Sequence, residues 1–447
     1  MTTVAPAVVP PPFTGGELVF AGGTDWSQAD AEREAKYPNL PDPHRIKSLI
    51  GIKIMFIAGG PSAVHAMAGD SEGRLFTWGR NDKGQLGHGD LLQRNVPTIV
   101  EGLKGKFITT AAGGKGHTVV VTQDGESYSW GTNIMGQLGV GAAKSKGKVE
   151  ELMTSPVKAL VVKASTVSCG TDFTVWLCSG TVFSAGSGQY GQLGDGSDHS
   201  YNAKDSSIQM MTEPSPTPRS IATLAERTIT RVTCGQNHSI AVDSEGGVYT
   251  WGNGGYGRLG HKVQQEEHKP RRIEFFAGRY TAPSSSIITA SQTASFAIGP
   301  GTQLYSWGKT KANGDNQMYP NAVADLSGWN IRSMACGPAV FAVAADNSVI
   351  TWGSATNGEL AYGSSGKKSS ANPDKVSALE GIITQQVAVG LGFSMFLLDD
   401  SNPSVAKLPV FESSVPKEAA APEAEEKDTK AKGKRKAPEP APKKAKK

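Results

Sequence analysis

Long apolar runs are missing from this chain. Across its 447 residues no stretch approaches the roughly 18 to 20 apolar residues that cross a bilayer as a helix. The opening MTTVAPAVVPPPFTGG has neither the basic nor the apolar block of a secretory signal. A soluble intracellular protein with no membrane partner is the expectation. Cysteine is scarce too: Cys169, Cys178, Cys234 and Cys336 make no CxxC pair, and no histidine stands at zinc-finger spacing. Reduced thiols and no metal site follow. Net charge is only +4, and nine Lys or Arg against the single acid Glu439 put +8 into residues 430–447, leaving −4 for residues 1–429. The basic character belongs to the tail, so the isoelectric point says nothing about nucleic-acid affinity of the body.

Catalytic signatures are also lacking. There is no HExxH, no paired-carboxylate motif and no Ser-His-Asp order. The loop TWGRNDKGQLGHGD, residues 77–90, has the Gly79-x4-Gly84 outline of a phosphate cradle, but Gln85-Leu86 stands where a P-loop needs Lys and then Ser or Thr. No cofactor is expected, and the chain reads as a non-enzyme.

Glycine, in contrast, is abundant: 54 residues, about 12% of the chain against roughly 7% on average. The reason is repetition. SEGRLFTWGRNDKGQLGHG is matched by QDGESYSWGTNIMGQLGVG, SGTVFSAGSGQYGQLGDG and SEGGVYTWGNGGYGRLGHK, and more weakly by GTQLYSWGKTKANGDNQ, DNSVITWGSATNGELAYG and GELVFAGGTDW. The residue before the marker glycine is Ala21, Trp78, Trp130, Ala185, Trp251, Trp307 or Trp352, at spacings of 57, 52, 55, 66, 56 and 45. A second element, typified by VTCGQNHSIAVDSE, also occurs seven times and alternates with the first, so the chain starts and ends in mid-repeat. Short β-branched and aromatic runs between Gly-rich turns give four antiparallel strands per repeat. Only 28–36 and 221–226 look locally helical. Seven four-stranded sheets packed radially hide their edges, which predicts an all-β, seven-bladed propeller over residues 14–400, closed by pairing ELVFAG with FSMFLL. Residues 1–13 and 401–447 are expected to be disordered, the latter for want of apolar residues.

With these repeats, the GQLG loops and the C-G-x-x-H element at Cys234 to His238, the sequence resembles the regulator of chromosome condensation family over about residues 17–400. MYPNAVADLSGWNIRSMACG, WGNGGYGRLGH, PHR at 43–45 and the longer spacing Gly60-x4-His65 are similar to its second subtype, the telophase disk proteins. The resemblance implies a nuclear, mitosis-linked scaffold associated with chromosomes or spindle in mitosis; a monomer is expected, and the nuclear reading leaves room for a cytoplasmic pool. It would bind a small GTPase of Rac-like or Ran-like type, chromatin or microtubules, and regulate chromosome segregation or cell division. The alternative is a guanine-nucleotide exchange factor. In the family's Ran exchange factor, acids just before the repeated histidine face the GTPase; the equivalent positions here are Gly116, Asp172 and Asn237, so Asp172 alone keeps a carboxylate. Loss or weakening of exchange on Ran is the expectation, with Asp172 and Asn237 as GTPase-facing candidates.

The recurring GQLG leucine suggests a buried anchor in a tight turn, and the recurring tryptophans suggest packing between blades. His65, His117 and His238 repeat at one position and are expected to bond backbone within their own blade. Variation among the loops singles out Arg80, Asn81, Asp82 and Lys83 as contact candidates. The longest spacing carries an insertion at 195–230, where Ser215-Pro216 and Thr217-Pro218-Arg219 are candidate proline-directed phosphorylation sites. Two clusters in the tail, Lys432, Lys434, Arg435, Lys436 and Lys443, Lys444, Lys446, Lys447, look like a nuclear import signal read by an import receptor. Their ammonium groups also suit DNA or RNA phosphates.

Overall fold

The computed structural model describes residues 13–26, 37–141, 151–204, 207–311 and 313–413. Each repeat supplies four short strands that meander outward from a common axis. Blade 1 comprises Ile54–Ala58, His65–Asp70, Leu75–Gly79 and Arg94–Ile99 in that order. Blades 2 to 7 begin with Ile108–Gly113, Ala164–Cys169, Ile229–Cys234, Ile288–Ala290, Ile331–Cys336 and Thr384–Gly390. These first strands touch one another in succession, the seventh against the first, around a central cavity of about 210 Å³. The second strands, such as His117–Thr122 and Phe393–Leu398, are buried along their whole length. Both faces of a blade are covered by its neighbours, so these strands read as continuous rather than alternating apolar runs.

Ring closure follows the pairing expected from the half-repeats. Glu17–Gly22 lies antiparallel to Phe393–Leu398, with Val19 opposite Phe396, and Leu40–Ile46 forms the fourth strand of blade 7. Phe20 stacks on Phe393 at 5.8 Å between ring centroids, and Trp26 meets the same ring edge-on at 5.2 Å. Val410–Phe411 adds a fifth strand, parallel to Arg45 and Ile46, which the repeat pattern does not signal. The helical look of 221–226 shrinks to a single 3₁₀ turn, Ala222–Leu224, whose leucine is buried; 28–36 lies outside the described residues.

The repeated residues join blade to blade. Leu86, Leu138, Leu193 and Leu259 are buried, and the backbone carbonyl of the preceding residue points into the next blade. Gln85 O accepts the Thr118 hydroxyl at 2.7 Å and the Trp130 indole N–H at 2.8 Å. Gln192 O takes Ser239 and Trp251 in the same way. Gly87, at φ +80°, lies flat against the Trp130 ring; a Cβ there would stand 2.7 Å from the indole. Blade 3 has Ala185 at the marker position, and Trp176 from its second strand covers Gly139 instead, its indole N–H bonding the Ser127 hydroxyl at 3.0 Å.

The histidines correct the expectation of bonds within one blade. His65 Nε2 reaches Thr118 Oγ1 of the next blade at 2.6 Å, His117 reaches Thr174 at 3.1 Å and His238 reaches Ser295 at 2.8 Å. Each hydroxyl proton is already committed to a loop carbonyl, so Nε2–H donates and Nδ1 is left without a partner. Room for the ring comes from Gly114 and Gly235, where a Cβ would fall 2.1 Å and 2.2 Å from the imidazole. Hence the G-x-x-H spacing. At Gly60 the clash would be with Gly113 O of blade 2 rather than with its own histidine, which releases that repeat from the spacing.

Two outcomes follow. Phe20→Ala opens the closing strand's main contact and is expected to cost about 3–5 kcal/mol, read by urea unfolding. Burial lowers His65 and His117 from 6.5 to about 3 and holds His238 well below its ordinary value. The unfolded chain then takes up protons first: stability is complete above pH 6.5 and falls below it by up to about 1.4 kcal/mol per pH unit per histidine until the folded-state value is reached. Urea midpoints at stepped pH check this, and His117→Gln, which keeps a donor but does not titrate, should flatten the slope.

Candidate functional site

Strand direction alternates, so the loops from first to second strand and from third to fourth all emerge on one face, here called the upper face. The tight hairpins and the connections between blades, with the 3₁₀ turns they carry, emerge on the other. Every candidate residue within the described blades except Thr217 belongs to an upper-face loop or to a strand end beside one. The rigid blades hold these loops in place, an arrangement that suits binding.

Asp172 is half-buried beside Gln137, whose Nε2 lies 3.5 Å from Oδ1. Burial raises its carboxyl above the ordinary value, and the Lys115 ammonium opposes that rise. Asn237 sits one blade further on; its carbonyl accepts the Asn253 N–H at 2.9 Å. The two candidates thus share the face, on adjacent blades. At Gly116 an added Cβ would lie 3.2 Å from the Lys83 side chain, so a lysine stem occupies the neighbourhood of the absent acid.

The variable loop divides. Asp82 and Lys83 are exposed, and Arg80 pairs with Asp82 at 2.9 Å. Asn81 is not available for contact: it is buried, its Oδ1 accepts the Leu86 N–H at 2.9 Å, and its Nδ2 bonds Asp90 and Leu92 carbonyls. Asn133 Oδ1 does the same for Leu138, so this asparagine builds the turn.

The insertion is also redrawn. Residues 215–219 lie not in a loop but in Ser215–Ser220, the fourth strand of blade 3. Ser215 is buried, paired with Gly186, and its N–H bonds Met135 O at 3.1 Å, which closes it to a kinase. Thr217 is exposed on the outer strand. The insertion proper carries a small hairpin, Ser200–Asn202 with Met210–Thr212, that leaves Tyr201, Met210 and Met211 exposed. The basic clusters from Lys432 to Lys447 lie outside the described residues.

The described lining of the central cavity offers small apolar residues, hydroxyls, thiols and the Gln386 amide, which spans Ile57 N and O at 2.9 Å each, but no carboxylate, imidazole or amine. Cys169, Cys234 and Cys336 sit there with their thiols pushed up by burial, the latter two to about 12. Sequence reading passed over a groove of about 620 Å³ across blades 4 to 6 on the upper face, floored by Arg258 and flanked by Tyr256, Lys309 and Lys311. One signal was visible: GRLG in this loop where three others have GQLG.

Comparison with known proteins agrees with this architecture. The chain is 38% identical over 409 residues to the protein RCC2 homolog of Xenopus laevis, covering 86% of this chain and 78% of the relative. It is 37% identical over 424 residues to protein RCC2 of Homo sapiens, covering 89% and 79%. Among solved structures, Prp20p of Saccharomyces cerevisiae superposes with a TM-score of 0.67 at 19% identity, covering 88% of this chain and 94% of that one, and its complex with Kap60 superposes equally well. At that identity the likeness establishes the fold. Residues 17–398 match the model of the RCC1-like domain, and with relatives above 30% identity over most of its length the chain belongs to the RCC1-like, regulator of chromosome condensation family.

Proposed function

We propose that the upper face binds a small GTPase, Rac-like or Ran-like, and that the chain serves as a nuclear, mitosis-linked scaffold linking that GTPase to chromatin or microtubules. The observation that carries this reading is the placement of Asp172 and Asn237 on adjacent rigid loops of one face, which also presents the exposed Asp82 and Lys83. Relatives lend support: Prp20p has been characterised for binding to Gsp1p and histones, and has been solved bound to Kap60. The basic tail supplies charge for phosphate tethering and for an import receptor.

A second reading, nucleotide exchange, is favoured by one feature. The hairpin at 200–212 projects from the upper face of blade 3 with Tyr201, Met210 and Met211 exposed, a shape able to wedge into a partner's nucleotide site.

Retention of purified GTPases on the immobilised protein tests the first reading. Asp172→Ala is expected to weaken retention about tenfold, ~1.4 kcal/mol, whereas Asn81→Ala should lower stability rather than binding. Nucleotide-release kinetics across Ran, Rac and Ral proteins test the second; no acceleration is expected with Ran, and acceleration there would overturn the loss inferred from Gly116 and Asn237. Deleting 432–447 should abolish nuclear accumulation of a fluorescent fusion, and unchanged accumulation rules out the import role.

A further inference from the structure

The loop of blade 4 is rebuilt around a cation. In blades 1, 2 and 3 the GQLG glutamine side chain closes its own loop: Lys83 N–H donates to Gln85 Oε1 at 2.8 Å, Met135 N–H to Gln137 at 3.0 Å and Tyr190 N–H to Gln192 at 2.7 Å. In blade 6 Glu359 accepts from Asn357 N–H at 2.8 Å. Arginine has no acceptor. At Arg258 the backbone keeps its inter-blade duty, its carbonyl accepting the Ser295 hydroxyl at 2.8 Å. The side chain's former duty passes to Gln264, which accepts the Tyr256 N–H at 3.0 Å. A second residue has thus taken over the loop closure, and the guanidinium is released into the groove.

Arg258 as a residue is only 6% exposed. Its Nε donates to Gly255 O at 2.8 Å and Nη1 to Gln292 O at 2.7 Å, while no described carboxylate lies within ion-pairing distance. Burial lowers its pKa to about 10, which leaves it charged at neutral pH. The Tyr256 ring adds a cation–π contact at 5.4 Å, but a buried cation held by two neutral carbonyls and a ring is still costly unless an anion joins it. Lys309 stands over the Tyr256 ring at 5.5 Å and Lys311 reaches Asn372 at 3.0 Å; neither is paired with an acid among the described residues. No Asp or Glu appears in the described lining.

We propose that this groove is a binding site for an acidic, extended segment of a partner protein, with one carboxylate seated on Arg258 and others on Lys309 and Lys311. The proposal rests on the reading of the upper face as the partner-binding face and names the chemistry that face selects. A peptide fits better than nucleic acid. Arg258 is at the floor, within reach of a thin chain but not of a duplex backbone. The side-chain amides of Asn237, Asn253 and Gln292 along the groove can pair with a peptide main chain, and Tyr256, 43% exposed, offers a ring to pack against. Bidentate seating of carboxylate is what a guanidinium does best.

The test uses the full chain and a fluorescent peptide with glutamate at alternate positions, compared with the same peptide carrying glutamine and with a short DNA duplex. Binding of the glutamate peptide is expected, at least tenfold tighter than the glutamine peptide and weakening with salt. Arg258→Gln, which installs the residue that three other loops accept, should lose about tenfold with an unchanged thermal midpoint, and Lys309→Gln should lose less. Equal binding of the two peptides, indifference to both substitutions, or duplex binding that depends on Arg258 overturns the proposal. GTPase retention measured on the same proteins separates it from the broader reading. If the peptide binds through Arg258 and no GTPase is retained, the groove stands and the GTPase reading falls; if a GTPase is held and the peptide is not, the groove falls alone.

Discussion

Four joints of the ring, those of blades 1 to 4 with the next, depend on one carbonyl each. A four-stranded sheet this small cannot bury two faces by itself, and what docks it on the next is the backbone oxygen before the buried leucine, which takes a hydroxyl and, in two cases, an indole N–H from the neighbour. The bond is fully buried, so an unmatched carbonyl costs more than a matched one gains. That asymmetry makes the contact selective for correct docking as well as stabilising. The histidine adds a second link through the same hydroxyl, and the chain hydroxyl-to-carbonyl, imidazole-to-hydroxyl fixes which proton goes where.

Not every joint is made this way. Blade 5 has Ala294 at the histidine position and blade 6 has Phe341 at the hydroxyl position, so there the polar link gives way to rings: Phe296 against Phe341 at 5.1 Å, and Phe341 stacked on Trp352 at 5.3 Å. Closure at blade 7 is aromatic too, through Phe20, Trp26 and Phe393. The ring therefore joins hydrogen-bonded blades to blades held by dispersion and area.

Much of this was legible in the chain because repetition itself carries information. Seven copies of each element, out of phase at the two ends, imply seven sheets and a closing strand pair before any side chain is placed. A recurring Leu86-type residue is core and a recurring Trp130-type residue is packing, since a function unique to one site has no reason to recur. The limit lies in the same repetition. A position repeated once per blade sees both its own blade and the next, and spacing along the chain cannot say which; hence His65, His117 and His238 were assigned to the wrong neighbour. Asn81 varies among loops at some copies and so resembled a contact residue, although its carboxamide is consumed closing the turn. Ser215 lies within the longest spacing, but strand pairing with Gly186 overrides the turn-forming look of Pro216 and Pro218, which tolerate an outer strand because they leave few ladder bonds unmade.

The departures from the repeat are where the upper face acquires character. Gly116 and Asn237 stand where acids would give a negative surface, Lys83 fills in beside Gly116, and Arg258 replaces a glutamine whose task is transferred to Gln264. Each change moves the face in the same direction, away from negative charge, while the carbonyls that hold the blades are untouched because they belong to the backbone. This separation lets a propeller alter its partner without altering its fold: the joints use main-chain oxygen, and the side chain at the same residue can change once another residue, here Gln264, closes the loop. Arg258 shows both halves at once, its carbonyl bonded to Ser295 in the core and its guanidinium presented to the groove.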